Sequence, residues 1–133
     1  MGLDMYLYGI RSSDDDKKEG IWEECAYWRK ANQVHDFFKK KYIKDGDPYA
    51  FYKVDEEDLE GLKLICYIIL MNRDSEEAEH VARALLPPNN FGCFFGSNLI
   101  EDEYFDDVEY TYNILKDILE NKKYDKIFYA ASW

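Results

Sequence analysis

Apolar and polar positions along the chain alternate with two different periods. Trp28, Ala31, His35, Phe38 and Tyr42 recur at spacings of three and four, which places them on one face of an α-helix. Tyr27, Val34 and Lys41 widen that stripe, and neither Gly nor Pro interrupts Trp22–Tyr42. Glu23 and Glu24 near the start and Lys39, Lys40 and Lys41 in the last turn suit the helix dipole. The pattern predicts one long helix over Trp22–Tyr42, around which the rest of the chain is organised.

Leu3, Met5 and Leu7 alternate with Asp4, Tyr6 and Tyr8, which predicts a first strand with the former set facing the core. Arg11–Gly20 is a polar loop and Lys44–Pro48 a turn, followed by a second strand over Tyr49–Val54. Asp55 opens a helix with acidic residues in its first turn. Its apolar face is read as Leu59, Leu62, Leu64, Ile65, Ile68 and Ile69, through Met71; a strand over 64–70 is the alternative. Glu76–Leu86 is a short helix with Ala78, Val81, Ala82, Leu85 and Leu86 inward, ended by Pro87-Pro88. Phe91–Phe95 reads as a third strand. Asp106 or Asp107 caps a last helix through Asn121, with Val108, Thr111, Tyr112, Leu115, Ile118 and Leu119 inward, and Lys126–Ala131 closes the chain as a strand. The order β-α-β-α-α-β-α-β describes one α+β domain over 1–133, with four short strands and four helices. The helices lie mainly on one face, and the first and last strands are expected to be neighbours.

Composition narrows the function classes. The chain of 133 residues carries a net charge of −11. Direct binding to nucleic acid or to anionic membrane needs clustered Lys and Arg and is disfavoured. A basic protein partner, including a nucleic-acid-binding effector, is favoured by long-range attraction. The twelve Tyr suit an interface or an aromatic-rich core. Cys25, Cys66 and Cys93 are an odd set without C-x-x-C spacing, which points to free thiols in a reducing compartment. MGLDMYLYGI lacks the basic start and long apolar run of a signal peptide. LKLICYIILM at 62–71 is too short to cross a bilayer. A cytoplasmic protein is expected.

Two sets of side chains are candidates for function. Tyr27, Trp28, Arg29, Asn32 and His35 form a polar and aromatic patch. Arg29 would clamp an anion and Asn32 orient it; alternatively the same helix is core, with its polar groups tied to strands. An acid–base role for His35 with Asp4 or Asp36 stays open. Ser97 or Cys93 with His35 is conceivable as a nucleophile pair, yet FGCFFGS matches neither a nucleophile elbow nor a phosphate loop. No metal or cofactor is expected, since no H-E-x-x-H, EF-hand loop or Cys cluster is present. The second set is acidic: Glu101, Asp102, Glu103, Asp106 and Asp107 around Tyr104 and Phe105, and Asp55, Glu56 and Glu57. Carboxylates held on a rigid scaffold can imitate phosphates, with the aromatic pair as anchors. The plainer reading is an acidic helix start.

MGLDMYL at 1–7, YWRKAN at 27–32 followed by His35, FFGS at 94–97 and the final Ser132-Trp133 resemble a family of small uncharacterised proteins of bacteriophages and prophage-carrying bacteria. The resemblance spans the chain. It implies a phage or prophage origin and a cytoplasmic setting and brings no activity. It also points to Asp4, Tyr27, Trp28, Arg29, Asn32, His35, Gly96 and Ser97 as one neighbourhood. The leading expectation is a binding protein that inhibits a host defence or nucleic-acid-handling protein, for example an anti-CRISPR. The alternatives are a small enzyme or ligand-binding domain centred on Trp28, Arg29, Asn32 and His35, and a self-associating accessory protein that forms a homodimer.

Overall fold

The computed structural model describes residues 2–11, 20–43, 50–89 and 96–133. Strand β1 (Asp4–Arg11) alternates buried Met5, Leu7 and Gly9 with half-buried Asp4, Tyr6, Tyr8 and Ile10. This is the period-two pattern of a strand with one face on the core. Strand β2 (Ile21–Arg29) pairs antiparallel to it, with Met5 opposite Trp28 and Leu7 opposite Ala26. A register shift between Leu7 and Tyr8 leaves an irregularity opposite Cys25.

Helix α1 covers only Asn32–Tyr42. The helix predicted from Trp22 is therefore corrected: Trp22–Arg29 belong to β2. Ala26 and Trp28 face the core while Tyr27 and Arg29 are exposed, a period of two rather than 3.6. Trp28 is the last inward residue of the strand, and Ala31, His35 and Phe38 lie on the inward side of the following turn and helix. That sequence of inward positions imitates one helical stripe. Between them Lys30 takes a left-handed conformation, φ 59°, which neither a strand nor a helix continues through. Its amide donates to Leu3 O at 2.7 Å.

The chain continues through β3 (Tyr52–Val54), α2 (Glu56–Met71), α3 (Ala78–Leu85), α4 (Asp102–Asn121) and β4 (Lys126–Ser132). The sheet order is β2-β1-β4-β3, antiparallel throughout. The first and last strands are neighbours, as expected, with Leu7 opposite Tyr129. The result is a small α+β domain with four strands and four helices among the described residues. The strand expected at 91–95, the turn at 44–48 and most of the polar loop fall outside the described residues.

Helices α1 and α4 lie against the face of the sheet bearing Met5, Leu7, Trp28 and Tyr129. From α1, the Phe38 ring stacks on Tyr129 with centroids 4.2 Å apart. From α4, Thr111 Oγ1 accepts the Trp28 indole N–H at 2.8 Å. Helices α2 and α4 pack side by side. Arg73, just past the end of α2, reaches Asp102 and Asp106 at the start of α4, so the two helices run antiparallel.

Three details of the helices depart from expectation. In α2 the buried residues are Leu59, Leu62, Cys66 and Ile69, whereas Leu64 and Ile68 face solvent. Apolar residues on both faces establish the helix but leave its rotation to the neighbours. Leu85 of α3 is likewise exposed. Helix α4 starts at Asp102 with Glu101 in the N-cap position, a turn before Asp106 or Asp107. The reason is that Tyr104, Phe105 and Val108 already form part of its buried stripe. Asp55 does occupy the N-cap position of α2, without a side-chain capping bond.

Candidate functional site

The polar residues marked by the sequence divide between two places. Tyr27 and Arg29 lie on the outer face of β2, and the Tyr27 hydroxyl donates to Asp4 Oδ1 at 2.6 Å. That bond is the main reason the Tyr27 pKa is raised. Trp28, Asn32 and His35 are buried on the other side of the sheet. Arg29 and Asn32, expected to clamp and orient one anion, belong to different elements, so an anion clamp built from both is not assembled.

Asn32 is the centre of the buried group. Its amide Nδ2 donates to Ser97 O at 3.0 Å, and its Oδ1 accepts the Asn89 backbone N–H at 2.9 Å. Asn89 Nδ2 in turn donates to Asp36 Oδ1 at 3.2 Å, and Lys40 closes the line with an ion pair to Asp36 at 2.8 Å. Gly96 sits against this joint at φ +92°, where an added Cβ would fall 2.3 Å from Lys30 O. Only glycine fits so close to another backbone in that conformation. Gly96 and Ser97 thus meet Lys30 and Asn32, as a joint between the β2–α1 connection and the chain before α4.

His35 is fully enclosed. Its Nδ1 is 2.7 Å from the Tyr129 hydroxyl, and its ring lies 5.3 Å from that of Trp133. Burial and the nearby Lys39 push its pKa down to about 4, and burial pushes Tyr129 well above the usual tyrosine value. The imidazole is therefore neutral at neutral pH, and its Nδ1 shares one hydrogen bond with the tyrosine hydroxyl. Neither Asp4 nor Asp36 is hydrogen-bonded to this Nδ1; Asp4 is held by Tyr27 and Asp36 by Asn89 and Lys40.

The acidic set is partly surface and partly core. Glu101, Asp102, Glu103, Asp106, Asp55, Glu56 and Glu57 are exposed. Tyr104 and Phe105, expected as interface anchors, are only 4% and 7% exposed. They are the inward residues of α4, and Tyr104 donates its hydroxyl to Leu86 O at 2.8 Å. Asp107 is half-buried, and burial together with Glu103 and Asp106 pushes its pKa up to about 6. Arg73 lies over the Phe105 ring, 5.0 Å from its centroid. It approaches Asp102, Asp106 and Glu109 at 3.7, 4.0 and 3.9 Å. Among the described residues no ion pair reaches Glu56, Glu57, Glu101 or Glu103. A cavity of about 60 Å³ joins the two candidate sets, since Lys30, Gln33 and Ser97 line it together with Glu101, Glu103 and Asp107.

Residues distant in the chain complete these arrangements: Thr111, already expected inward, under Trp28, and Asn89 between Asn32 and Asp36 and Tyr129 on His35, neither of them marked by the sequence. Lys30 lay within the YWRKAN motif, but its left-handed backbone was not legible there. On the outer sheet face, Tyr27, Tyr6, Tyr8, Phe51, Trp22 and Phe128 follow one another with ring centroids 5.0–5.9 Å apart.

Among the described residues, no group of three or more His, Cys, Asp or Glu is placed to hold a metal ion. Cys25 and Cys66 are free, and burial pushes both thiols up to about 12, which suits inert core thiols. Cys93 lies outside the described residues. No described helix is long and apolar enough to cross a membrane. Comparison of the chain with protein-family models, with curated proteins and with solved structures returned no match.

Proposed function

We propose that this protein is a binding module that docks a basic protein through the α2/α4 layer. The observation that carries the reading is the placement of charge. Both acidic segments sit at the exposed starts of two packed, antiparallel helices, in a chain of net charge −11. Carboxylates at rigid helix starts meet two physical needs at once. They complement the helix dipoles and they steer a cationic partner toward that layer. Arg73 offsets part of the α4 charge, and Glu56, Glu57, Glu101 and Glu103 keep theirs for a partner. The anchors of such a contact are not Tyr104 and Phe105, which the core holds.

The finer reading is a phage-type inhibitor of a host defence or nucleic-acid-handling protein, such as an anti-CRISPR, with carboxylates standing where phosphates would bind. It rests on the resemblance of the four motifs and on the charge. Immobilised protein exposed to lysate of the bacterium carrying the gene, at about 50 mM and 500 mM salt, tests it, because exposed charge contacts weaken with screening. The expected result is a cation-rich partner held at low salt, released at high salt, and blocked in its own nucleic-acid binding by the purified chain. Capture of nothing at either salt, or tight binding of DNA by this chain in ordinary saline, would remove the proposal.

A further inference from the structure

Helix α2 is apolar on two opposite sides. Leu59, Leu62, Cys66 and Ile69 form the inner stripe and are buried. Directly opposite, Leu64, Tyr67, Ile68 and Met71 are 57%, 46%, 37% and 67% exposed. At 100° per residue these four lie within about 60° of the Leu64 direction, together with Glu57, Glu60 and Gly61. A helix that is apolar all round is normally covered on both sides, and an uncovered stripe of this kind marks an interaction surface.

The Leu64–Tyr67 part of the stripe borders a groove, and Ile68 and Met71 extend the apolar surface beyond it. Leu64 and Tyr67 border an opening of about 390 Å³ whose other walls are Glu60, Gly61, Lys63 and Tyr112 of α4. Tyr67 and Tyr112 meet at 6.0 Å between ring centroids. Gly61 has nothing within 4 Å of where a Cβ would stand, so its bare backbone opens one end to close approach.

The charge around the groove selects its occupant. At the start of α2 lie Glu56, Glu57 and Glu60, the last of them paired with Lys63 at 3.4 Å. At the other end, beyond Met71, stand Asp102, Asp106 and Glu109 around the single Arg73. Apolar in the middle and negative at both ends, this surface repels a second copy of itself. It complements a helix that is apolar along one face and cationic at both ends.

We propose that the α2 outer stripe is the docking groove for an amphipathic, Lys/Arg-flanked helix of the partner protein, the helix-in-groove mode of recognition. The inference rests on the binding-module reading above and supplies its anchors: Leu64 and Met71 in place of the buried Tyr104 and Phe105.

The test uses a synthetic amphipathic helix of Leu with terminal Lys residues, and a second with Glu replacing Lys, titrated into the protein by fluorescence anisotropy. The cationic peptide should bind at least tenfold more tightly than the acidic one. Leu64→Ser with Met71→Ser should abolish at least nine-tenths of that affinity without changing the circular dichroism spectrum. Equal binding of both peptides, or unchanged binding by the double variant, overturns the groove. Concentration-dependent dimers in light scattering that the double variant dissolves would overturn it too, by assigning the stripe to a second copy. If a basic lysate protein is captured equally by wild type and double variant, the groove fails and the acidic docking layer stands. If neither captures one, the binding-module reading itself fails.

Discussion

The Nδ1 of His35 and the hydroxyl of Tyr129, 2.7 Å apart, tie helix α1 to strand β4 inside the core. Because the imidazole is held neutral, with its pKa pushed down to about 4, the unfolded chain binds a proton more readily than the folded one. Stability is therefore complete above the unfolded value near 6.5 and is lost as pH falls toward 4. The loss attributable to this one group amounts to at most about 3 kcal/mol. Urea unfolding between pH 7 and pH 4 measures it. His35→Gln should be less stable at pH 7 and should flatten this part of the profile.

Asp107 acts in the opposite sense. Its folded pKa, pushed up to about 6 by burial and by Glu103 and Asp106, means that the folded chain holds the proton more tightly. Its contribution is present at low pH and is lost as pH rises from about 4 to 6. Asp107→Asn should remove that contribution and steepen the acid loss caused by His35. The same unfolding series on the single and double variants separates the two.

Thr111 tests the joint between α4 and β2. Its hydroxyl accepts from the Trp28 indole at 2.8 Å and donates to Asp107 O at 2.7 Å. Thr111→Val preserves shape and leaves a buried indole N–H without its acceptor. The expected cost is about 1–3 kcal/mol, read from the midpoint of denaturant unfolding at an unchanged slope.

Gly96→Ala tests the closest backbone approach around Asn32. The position combines φ +92° with a Cβ site 2.3 Å from Lys30 O, a backbone atom that no side-chain rotation relieves. A loss on the order of 2 kcal/mol or more is expected, with Asn32→Ala costing about 2–4 kcal/mol through two lost hydrogen bonds to backbone. Thermal unfolding checks both. If Gly96→Ala left the melting temperature unchanged, the Asn32 joint would not be the rigid contact described above.

Particular residues show where the sequence was legible. The alternation from Leu3 to Tyr8 gave the strand and its inward face, because a two-residue period has no other common cause. Trp28 misled, because a strand's last inward residue and a helix's first turn can share helical spacing. Tyr104 and Phe105 misled for a related reason: their acidic neighbours suggested a surface, while their own spacing to Val108 placed them in the core. Leu64 and Ile68 carried the opposite error. The candidate polar set was found by residue type, but its partners Thr111, Asn89 and Tyr129 come from distant parts of the chain, and only Thr111 was marked, as an inward residue of the last helix.

Composition and periodicity alone determined the α+β class, the first and last strands, the helices α2 and α4, and the negative charge, since each is a sum or a short-range pattern. Only tertiary structure decided which way α2 turns, that Asn32 and Gly96 meet, and that Arg29 and Asn32 part. Those outcomes depend on packing between segments far apart in the chain, where a rotation of one helix exchanges core for surface without altering its local preferences.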